Sequence, residues 1–312
     1  MRALQVTSED GPDSVALADL PEPDGDFVIA VRAAGVTFPD LLMTRGEYQL
    51  RQPLPFILGW EAAGEVLRAP VDSGFAVGDR VVTLNFGAHA EQVAATPQTT
   101  FALADELSFE EGAALPLNYL TALAALDRRG GLRAGETVLV HGAAGGVGTA
   151  TVQIGKALGA EVIAVVSTEE KAEVARRAGA DSTIVGEAFR ESLSAPVNLI
   201  VDPVGGEERF KESLRSLAPE GRIVVVGFTS GEIPEVKVNR LLLRNVDVRG
   251  CSFGVLATDP GGVAKAAERL IELVGAGSIR PVVGSVYPLE ETAAALRELD
   301  DRQAMGKVVV RI

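Results

Sequence analysis

A glycine-rich turn is the stretch whose residue types and spacing point most directly to chemistry. The strand-like residues 138–141 lead into Gly142-Ala143-Ala144-Gly145-Gly146-Val147-Gly148, and a helical pattern begins directly afterwards. Such a turn presents unpaired backbone N–H groups to a diphosphate at a helix N-terminus. Gly145 lets the backbone approach the phosphates, and Gly148 lets the helix pack closely on the strand. With a second strand-like run at Glu161–Val166, the spacing predicts a βαβ unit that binds a dinucleotide.

The end of that second run favours NADPH over NADH. An NAD-specific site carries an acidic residue there for the ribose hydroxyls, whereas this run ends in Val165-Val166-Ser167-Thr168. Ser167 can donate a hydroxyl to a 2′-phosphate, and Lys171 can supply positive charge. The alternative is that Glu169, Glu170 and Lys171 merely open a solvated helix, whose N-terminus suits acids. The missing acid predicts NADPH as the cofactor.

Cysteine and histidine are too few for a zinc site. Catalytic zinc takes about three protein ligands and structural zinc about four, drawn mainly from Cys and His. The chain offers only Cys251, His89 and His141, with no paired spacing. We expect His141 to be packed or hydrogen-bonded and His89 to lie in a loop or at a strand edge. No Ser-His-Asp arrangement is indicated either, so we predict no metal and a reaction that runs on the cofactor.

Composition bounds the protein class. At 312 residues the chain is long enough for two domains. The net charge of −14 argues against a nucleic-acid partner, and no apolar run is long enough to span a membrane. A single cysteine fits a reducing compartment, and the N-terminus has no secretory pattern. We therefore expect a cytoplasmic globular protein.

The elements that must position these residues fall into two kinds. Up to about residue 110 the chain reads as short strands broken by Gly and Pro, at 27–36, 63–67 and 79–84, which predicts a rolled, mostly antiparallel sheet. A helix is predicted after Ser108, with Glu111 completing a capping box.

From there strands and helices alternate, which predicts a doubly wound parallel sheet. Further strands are expected at 198–202, 221–227 and 246–250, and helices at 171–178 and 207–217. Later come a helix at 262–274, a strand at 282–287, a helix at 289–299 and a closing strand at 306–312, for which the N-terminal sheet is the natural partner.

Several motifs, in order, resemble the zinc-free quinone oxidoreductase (zeta-crystallin-like) branch of the medium-chain dehydrogenase/reductases. They are Gly35-Val36-Thr37-Phe38-Pro39-Asp40, Arg45-Gly46-Glu47-Tyr48, Leu58-Gly59-Trp60-Glu61, Leu115-Pro116-Leu117-Asn118-Tyr119-Leu120-Thr121-Ala122, the glycine-rich turn, Asp202-Pro203-Val204-Gly205-Gly206 and Gly306-Lys307-Val308. The resemblance implies a GroES-like β-barrel catalytic domain at 1–118, a Rossmann NADP-binding domain at 119–255, a return to the catalytic domain at 256–312, and a cofactor cleft where the domains meet. Zinc-dependent relatives carry Gly-His-Glu where this chain has Gly59-Trp60-Glu61.

The resemblance also implies site residues. Those expected to bind the cofactor are Tyr48, Thr121, Gly145, Gly146, Val147, Ser167, Lys171, Gly227, Phe228, Thr229, Cys251, Ser252 and Phe253. Tyr48 and Thr37 are the expected catalytic hydrogen-bond donors, Thr37 replacing an asparagine common in relatives. A tyrosine that often follows the third Rossmann strand is missing. Asp40 is expected to be either a cleft carboxylate or an exposed acid at a helix start.

The function that follows is NADPH-dependent hydride transfer to a quinone or an α,β-unsaturated carbonyl. One alternative is a 2-enoyl thioester reductase acting on a CoA or acyl-carrier substrate, for which the loop from Arg45 to Arg51 would supply the basic patch. The other is an NADPH-binding structural or regulatory protein with little turnover. The apolar segment 241–249 precedes an expected edge strand, which predicts a homodimer formed between Rossmann sheets.

Overall fold

The computed structural model describes residues 1–259 and 261–312, and they form two compact units. Unit 1 comprises Met1–Leu117 and Pro281–Ile312, and unit 2 comprises Asn118–Arg280.

Within the described residues, the predicted strands and helices form in the expected order with shifts of a few residues at their ends, and further short strands and helices accompany them. The strands are β1 Arg2–Val6, β2 Val15–Asp19, β3 Val28–Val36, β4 Phe56–Ile57, β5 Glu61–Arg68, β6 Arg80–Leu84, β7 Gln92–Ala94, β8 Thr100–Ala102, β9 Thr137–His141, β10 Glu161–Val166, β11 Ser182–Val185, β12 Val197–Asp202, β13 Leu217–Val225, β14 Asp247–Gly250, β15 Val283–Pro288 and β16 Lys307–Arg311. The helices are α1 Phe38–Thr44, α2 Phe109–Ala114, α3 Pro116–Leu123, α4 Gly146–Ala157, α5 Glu169–Arg177, α6 Glu207–Ser216, α7 Asn239–Leu242, α8 Phe253–Thr258, α9 Gly262–Gly275 and α10 Thr292–Asp300. A π-helical stretch, Ala124–Arg129, extends α3.

Unit 1 is built on a mostly antiparallel sheet. Its main sheet runs in the order β15-β16-β3-β5-β6-β8, with β7 also pairing β3, and a smaller sheet has the order β2-β1-β4. The closing strand β16 pairs antiparallel with β3 and parallel with β15, so the C-terminal strand joins the N-terminal sheet as predicted. Alternating apolar side chains of β3, such as Ile29 and Val31, pack into one buried core.

Unit 2 is built on a six-stranded sheet in the order β11-β10-β9-β12-β13-β14. Every pairing in it is parallel, which confirms the doubly wound prediction. The central strands are apolar along their length because both faces of such a sheet are covered, and Leu139, Ile200 and Ile223 are fully buried. The order of the strands reverses once, between the neighbouring strands β9 and β12. Ligands of open α/β sheets bind at the carboxyl ends of the strands beside such a reversal.

The return to unit 1 occurs later than residue 256. Helices α8 and α9 pack on each other and remain in unit 2, and the chain re-enters unit 1 at Pro281. The α9 helix buries Val263, Leu270 and Leu273 along one face. An amphipathic helix must cover its apolar stripe, and this helix does so within unit 2.

Candidate functional site

The glycine-rich turn of unit 2 joins the end of β9 to the start of α4. Gly142 adopts a φ of +57°, which costs a side-chain-bearing residue much more than glycine. A Cβ on Gly148 would lie 2.7 Å from the Cα of Ala143, so this glycine permits close packing of helix on turn. A Cβ on Gly145 would meet only the Gly142 carbonyl, at 3.5 Å. The space beside Gly145 therefore stays open on the protein's side.

The first turn of α4 leaves its backbone donors unused. Gly145 is the N-cap and provides no side-chain cap. The first amides of an α-helix have no intrahelical acceptor, and those of Gly146, Val147 and Gly148 donate no hydrogen bond to any other described residue. Residues 145–147 are partly exposed. Together with the helix dipole, these donors make the turn an anion-binding surface.

The end of β10 carries the residues expected at a 2′-phosphate. Ser167 follows the strand directly and is exposed. Thr168 caps α5, its hydroxyl oxygen accepting from the Lys171 N–H at 3.2 Å. Glu169 is ion-paired within the helix to Arg176 at 2.5 Å, which offsets part of the negative charge that the sequence placed beside Ser167.

The other expected cofactor residues of unit 2 lie at the carboxyl ends of the strands of the sheet. Gly227, Phe228 and Thr229 follow β13, and Cys251, Ser252 and Phe253 follow β14. Because all six strands are parallel, these loops and the glycine-rich turn lie at the same end of the sheet. The Cys251 thiol is buried, and desolvation raises its pKa. Thr121 lies in α3 and is buried.

Asn118 lies in one of the motifs that carry the family resemblance, but that resemblance implies no site role for it. Its side chain packs over Gly146, where a Cβ would stand 3.1 Å from the Asn118 Cγ. The neighbouring Tyr119 donates a hydrogen bond from its hydroxyl to Gln153 of α4 at 2.9 Å. This contact joins α3 to α4 and places Asn118 at the helix N-terminus. Sequence spacing alone carries no signal for a contact across 28 positions, from 118 to 146.

In unit 1, Tyr48 belongs to an aromatic cluster formed by Tyr48, Trp60, Phe86 and Phe56. The ring of Tyr48 meets Trp60 edge to face at 6.0 Å, and Trp60 meets Phe86 likewise at 5.1 Å. Burial raises the pKa of the Tyr48 phenol, and the nearby Asp40 carboxylate raises it further. The phenol therefore keeps its proton well above neutral pH.

Thr37 and Asp40 are engaged with each other. Thr37 caps α1 in a reciprocal capping box, and its hydroxyl donates to the Asp40 carboxylate at 2.6 Å. Asp40 is completely buried and also accepts from the backbone N–H groups of Thr37 and Gly59. It starts a helix but is not exposed, because these donors replace water. The Thr37 proton is thus used within the protein, which argues against Thr37 as a catalytic donor.

A buried ion pair lies in the same unit. The Lys307 ammonium contacts the Glu61 carboxylate, and both side chains are almost fully buried. Glu61 also accepts a 2.6 Å hydrogen bond from the Leu117 N–H. A Cβ on Gly35 would lie 2.6 Å from both Glu61 Oε1 and Lys307 Cε, so glycine is needed beside the pair.

Both histidines are buried and separate from any set of metal ligands. His89 lies in the loop between β6 and β7, as expected, and it is fully buried there, with Nε2 3.1 Å from the Gly35 carbonyl oxygen. His141 Nε2 lies 2.8 Å from the Ser213 hydroxyl, and desolvation lowers its pKa to about 4. Among the described residues, no group of three or more His, Cys, Asp or Glu could hold a metal ion.

No helix within residues 1–259 and 261–312 is both long and apolar enough to cross a lipid bilayer.

Comparison with known proteins gives the following matches. The model of the alcohol dehydrogenase GroES-like domain matches residues 23–116, and that of the zinc-binding dehydrogenase matches residues 146–272. Quinone oxidoreductase-like protein 2 of Bos taurus is 38% identical over 295 residues, covering 91% of this chain and 84% of its own.

Two solved structures are similar over the whole chain. A probable oxidoreductase from Mycobacterium abscessus is 42% identical with a TM-score of 0.90, covering 100% of this chain and 99% of its own. The quinone oxidoreductase of Thermus thermophilus, whose complex with NADPH is also known, is 37% identical with a TM-score of 0.86, covering 100% of both chains.

Proposed function

Because this chain belongs to the medium-chain dehydrogenase/reductase family, in its quinone oxidoreductase branch, we propose that it is an NADPH-dependent reductase of quinones or α,β-unsaturated carbonyls that works without zinc. The observation that carries the proposal is the open row of backbone donors at Gly146, Val147 and Gly148, beside the chain reversal of the sheet. A dinucleotide diphosphate is the ligand that such donors fit.

NADPH, which supplies the hydride when bound, is held by unit 2 in this proposal. The amides of the glycine-rich turn bind its diphosphate, and Ser167 and Lys171 bind its 2′-phosphate. Similarity to the Thermus enzyme, which has a complex with NADPH, supports this cofactor. No acid follows β10 directly, so the position that carries the ribose-binding acid of NAD-specific sites is open to a 2′-phosphate.

The donor set does not fit zinc. Trp60 stands where zinc-dependent relatives have a histidine, and an indole N–H donates a hydrogen bond but cannot ligate a cation. The remaining soft ligands are His89 in unit 1 and His141 and Cys251 in unit 2, each enclosed in its own packing. We expect exhaustive chelation to leave activity unchanged and elemental analysis to find well under one zinc per chain. Stoichiometric zinc would contradict the proposal.

Tyr48 is the proposed proton donor. Hydride arrival at a quinone or an enone leaves a basic oxyanion, which a positioned acid can protonate. The raised pKa keeps the Tyr48 phenol protonated and ready to donate. Its hydroxyl makes no hydrogen bond within the described part of the chain, in contrast to the hydroxyl of Thr37.

Enzymatic assay of NADPH oxidation tests the function. We expect turnover with 1,4-benzoquinone, and Tyr48→Phe to lower kcat by roughly 100-fold, the smaller end of general-acid contributions. The same loss with every substrate and an unchanged Kd for NADPH would support donation. Thr37→Ser keeps the cap and serves as the matched control. Tight NADPH binding with no oxidation across quinones and enones would instead favour a regulatory role.

The thioester alternative is tested in the same assay with crotonyl-CoA. The guanidinium groups at both ends of the Arg45–Arg51 loop are ion-paired, Arg45 to Asp300 at 2.5 Å and Arg51 to Glu9 at 3.1 Å. This pairing disfavours a phosphate-binding role for them, so we expect quinone turnover to exceed that of crotonyl-CoA.

We also propose that the protein acts in the cytoplasm and as a homodimer. The single cysteine supports a reducing compartment. The edge position of β14 and the exposed Leu242 and Leu243 just before it support association through unit 2.

A further inference from the structure

The carboxamide of Asn118 lies at the N-terminus of α4. Asn118 is 8% exposed, and neither its Nδ2 nor its Oδ1 makes a hydrogen bond to another described residue. Its amide atoms are not among the enclosed polar atoms that lack a partner, so they can still be reached from outside the protein. A mostly buried amide that is unpaired within the described residues and still accessible at a helix N-terminus can donate to a ligand bound there.

The direction of the amide is set by its contact with Gly146. Of the Asn118 side-chain atoms, Nδ2 lies nearest to the place that a Cβ on Gly146 would occupy, ahead of Cγ at 3.1 Å and Oδ1 at 3.5 Å. The two N–H donors of the amide thus share the space above the first residue of α4 with the unused backbone donors there.

The position of Asn118 is also fixed by the hydrogen bonds of its neighbour Tyr119. The adjacent Tyr119 is buried, and its hydroxyl donates to Gln153 of α4. Gln153 in turn exchanges hydrogen bonds with the backbone of Arg280. A donor held by packing in this way loses little conformational freedom when it binds a ligand.

Gly146 has no unusual backbone conformation that would require glycine. Its φ lies outside the left-handed region, so the residue is glycine because Asn118 fills the space where a side chain would stand. Gly142 and Gly148 differ, since the first is required by its φ and the second by contact with the turn backbone.

We propose that Asn118 is a positioning residue whose Nδ2 donates a hydrogen bond to the diphosphate of the bound dinucleotide, and that Gly146 is glycine to admit this side chain. The inference rests on the proposed NADPH binding. It adds a neutral side-chain donor to the backbone donors of the turn, and it assigns to α3 a part in holding the cofactor.

Binding titrations test the contact without relying on turnover. We expect Asn118→Ala to weaken NADPH and NADH alike by roughly tenfold, since a hydrogen bond to a charged group is lost. Asn118→Asp should weaken both further, because a carboxylate repels the diphosphate. Adenosine 2′-phosphate, which lacks the diphosphate, should bind all variants equally.

Asn198→Ala is the matched control. Asn198 accepts a 2.9 Å hydrogen bond from the Thr137 N–H at the amino ends of β9 and β12, away from the glycine-rich turn. Loss of this hydrogen bond should lower Tm without changing the Kd of NADPH. An Asn118→Ala protein whose Kd for NADPH stays within about twofold of the parent would overturn the proposal. Equal weakening of adenosine 2′-phosphate would overturn it as well, because that result indicates general damage to the domain.

A double variant tests the spatial claim. Gly146→Ala should lower Tm in the parent chain, where the new methyl meets Asn118, and should be tolerated better in Asn118→Ala. Additive losses of Tm would contradict the link between the two positions. Failure of the proposed function would look different, since normal NADPH binding without quinone reduction leaves these binding results intact.

Discussion

One buried polar cluster of unit 1 and the polar groups at the glycine-rich turn of unit 2 differ in how their hydrogen bonds are satisfied. In unit 1, the polar cluster of Thr37, Asp40, Glu61 and Lys307 is closed, because each charged group is met by another group of the cluster or by a backbone N–H. At the turn of unit 2, the backbone donors of α4 and the amide of Asn118 remain open.

The difference separates a structural cluster from a binding surface. A polar network that satisfies itself has no capacity left for a ligand, and its value lies in holding the fold. Donors that the protein leaves unpaired at a partly exposed position remain available to a ligand. In unit 1 the Tyr48 phenol also makes no hydrogen bond within the described residues, and the buried Trp60 Nε1 and His89 Nδ1 lack partners there as well.

The largest effect is expected when one charge of the buried Glu61–Lys307 pair is removed. Lys307→Met removes the partner of Glu61 and leaves a buried charge, so we expect a loss of about 3–5 kcal/mol in the free energy of unfolding. Urea denaturation measures it. Removing the second charge as well, in Glu61→Gln with Lys307→Met, should recover much of the loss.

A surface pair provides the control. Lys211→Met breaks the contacts with Glu208 at 2.8 Å and Glu207 at 3.1 Å on α6, and we expect it to lower the free energy of unfolding much less than Lys307→Met does, because the pair is exposed to solvent. If Lys307→Met lowers the free energy of unfolding no more than Lys211→Met does, the buried cluster does not stabilise the fold.

The second prediction concerns His141, the buried histidine that ends β9 directly before the glycine-rich turn. His141 has a pKa of about 4 in the fold, against an ordinary histidine value of 6.5. Between these values the unfolded chain binds the proton and the folded chain does not, so stability is complete above pH 6.5 and falls as pH decreases towards 4. The loss amounts to about 2 kcal/mol by pH 5 and about 3 kcal/mol in total.

Urea denaturation at pH 7.5 and pH 5 measures this loss. Carboxylates contribute equally to the parent and to His141→Asn, so the difference between the two proteins isolates the histidine. Parallel pH dependence of the two proteins would contradict the lowered pKa.

The third prediction concerns the expected 2′-phosphate site at the end of β10. Lys171→Ala or Ser167→Asp should weaken NADPH by roughly tenfold to a hundredfold, as expected for loss of a charge-assisted contact. NADH should be affected much less because it lacks the 2′-phosphate. Fluorescence titration of both cofactors measures the ratio. Lys265→Ala, on the exposed surface of α9, is the control, and equal losses for NADPH and NADH would remove the 2′-phosphate assignment.

The smallest expected effect concerns another open feature of unit 2, the free side of β14. Leu242 and Leu243 just before it are 76% and 78% exposed, while Asp247 and Arg249 on the strand pair with each other at 2.5 Å. Edge groups of this kind can pair across a two-fold axis. Light scattering at micromolar concentration should therefore give about twice the 32.5 kDa of one chain.

Substitution of the apolar residues tests the face directly. Leu242→Asp should favour the monomer, and Val71→Asp, at a fully exposed position of unit 1, should not. A parent mass near 32.5 kDa would rule out the dimer.

Local signals in the sequence predicted much of this molecule. The capping box of Ser108 and Glu111 forms as expected, because both partners lie within one helical turn of each other. The same holds for the strand, turn and helix around Gly145. Alternation of strands and helices predicted the parallel sheet, since parallel strands need crossover connections. The sequence predicts a return to unit 1 at residue 256, but the chain returns at Pro281, because the pattern of an amphipathic helix such as α9 does not indicate which core the helix covers.

The sequence by itself determined the class of fold, the dinucleotide-binding turn and the scarcity of metal ligands, because each depends on residue type and on spacing along the chain. Tertiary structure decided which polar groups are closed and which are open. Asp40 and His89 are buried. The Thr37 hydroxyl donates its hydrogen bond to Asp40, and the Asn118 side chain packs over Gly146. Those outcomes depend on contacts between residues far apart in the chain, and a hydrogen-bonding group is satisfied or left unpaired only by what the fold brings within reach.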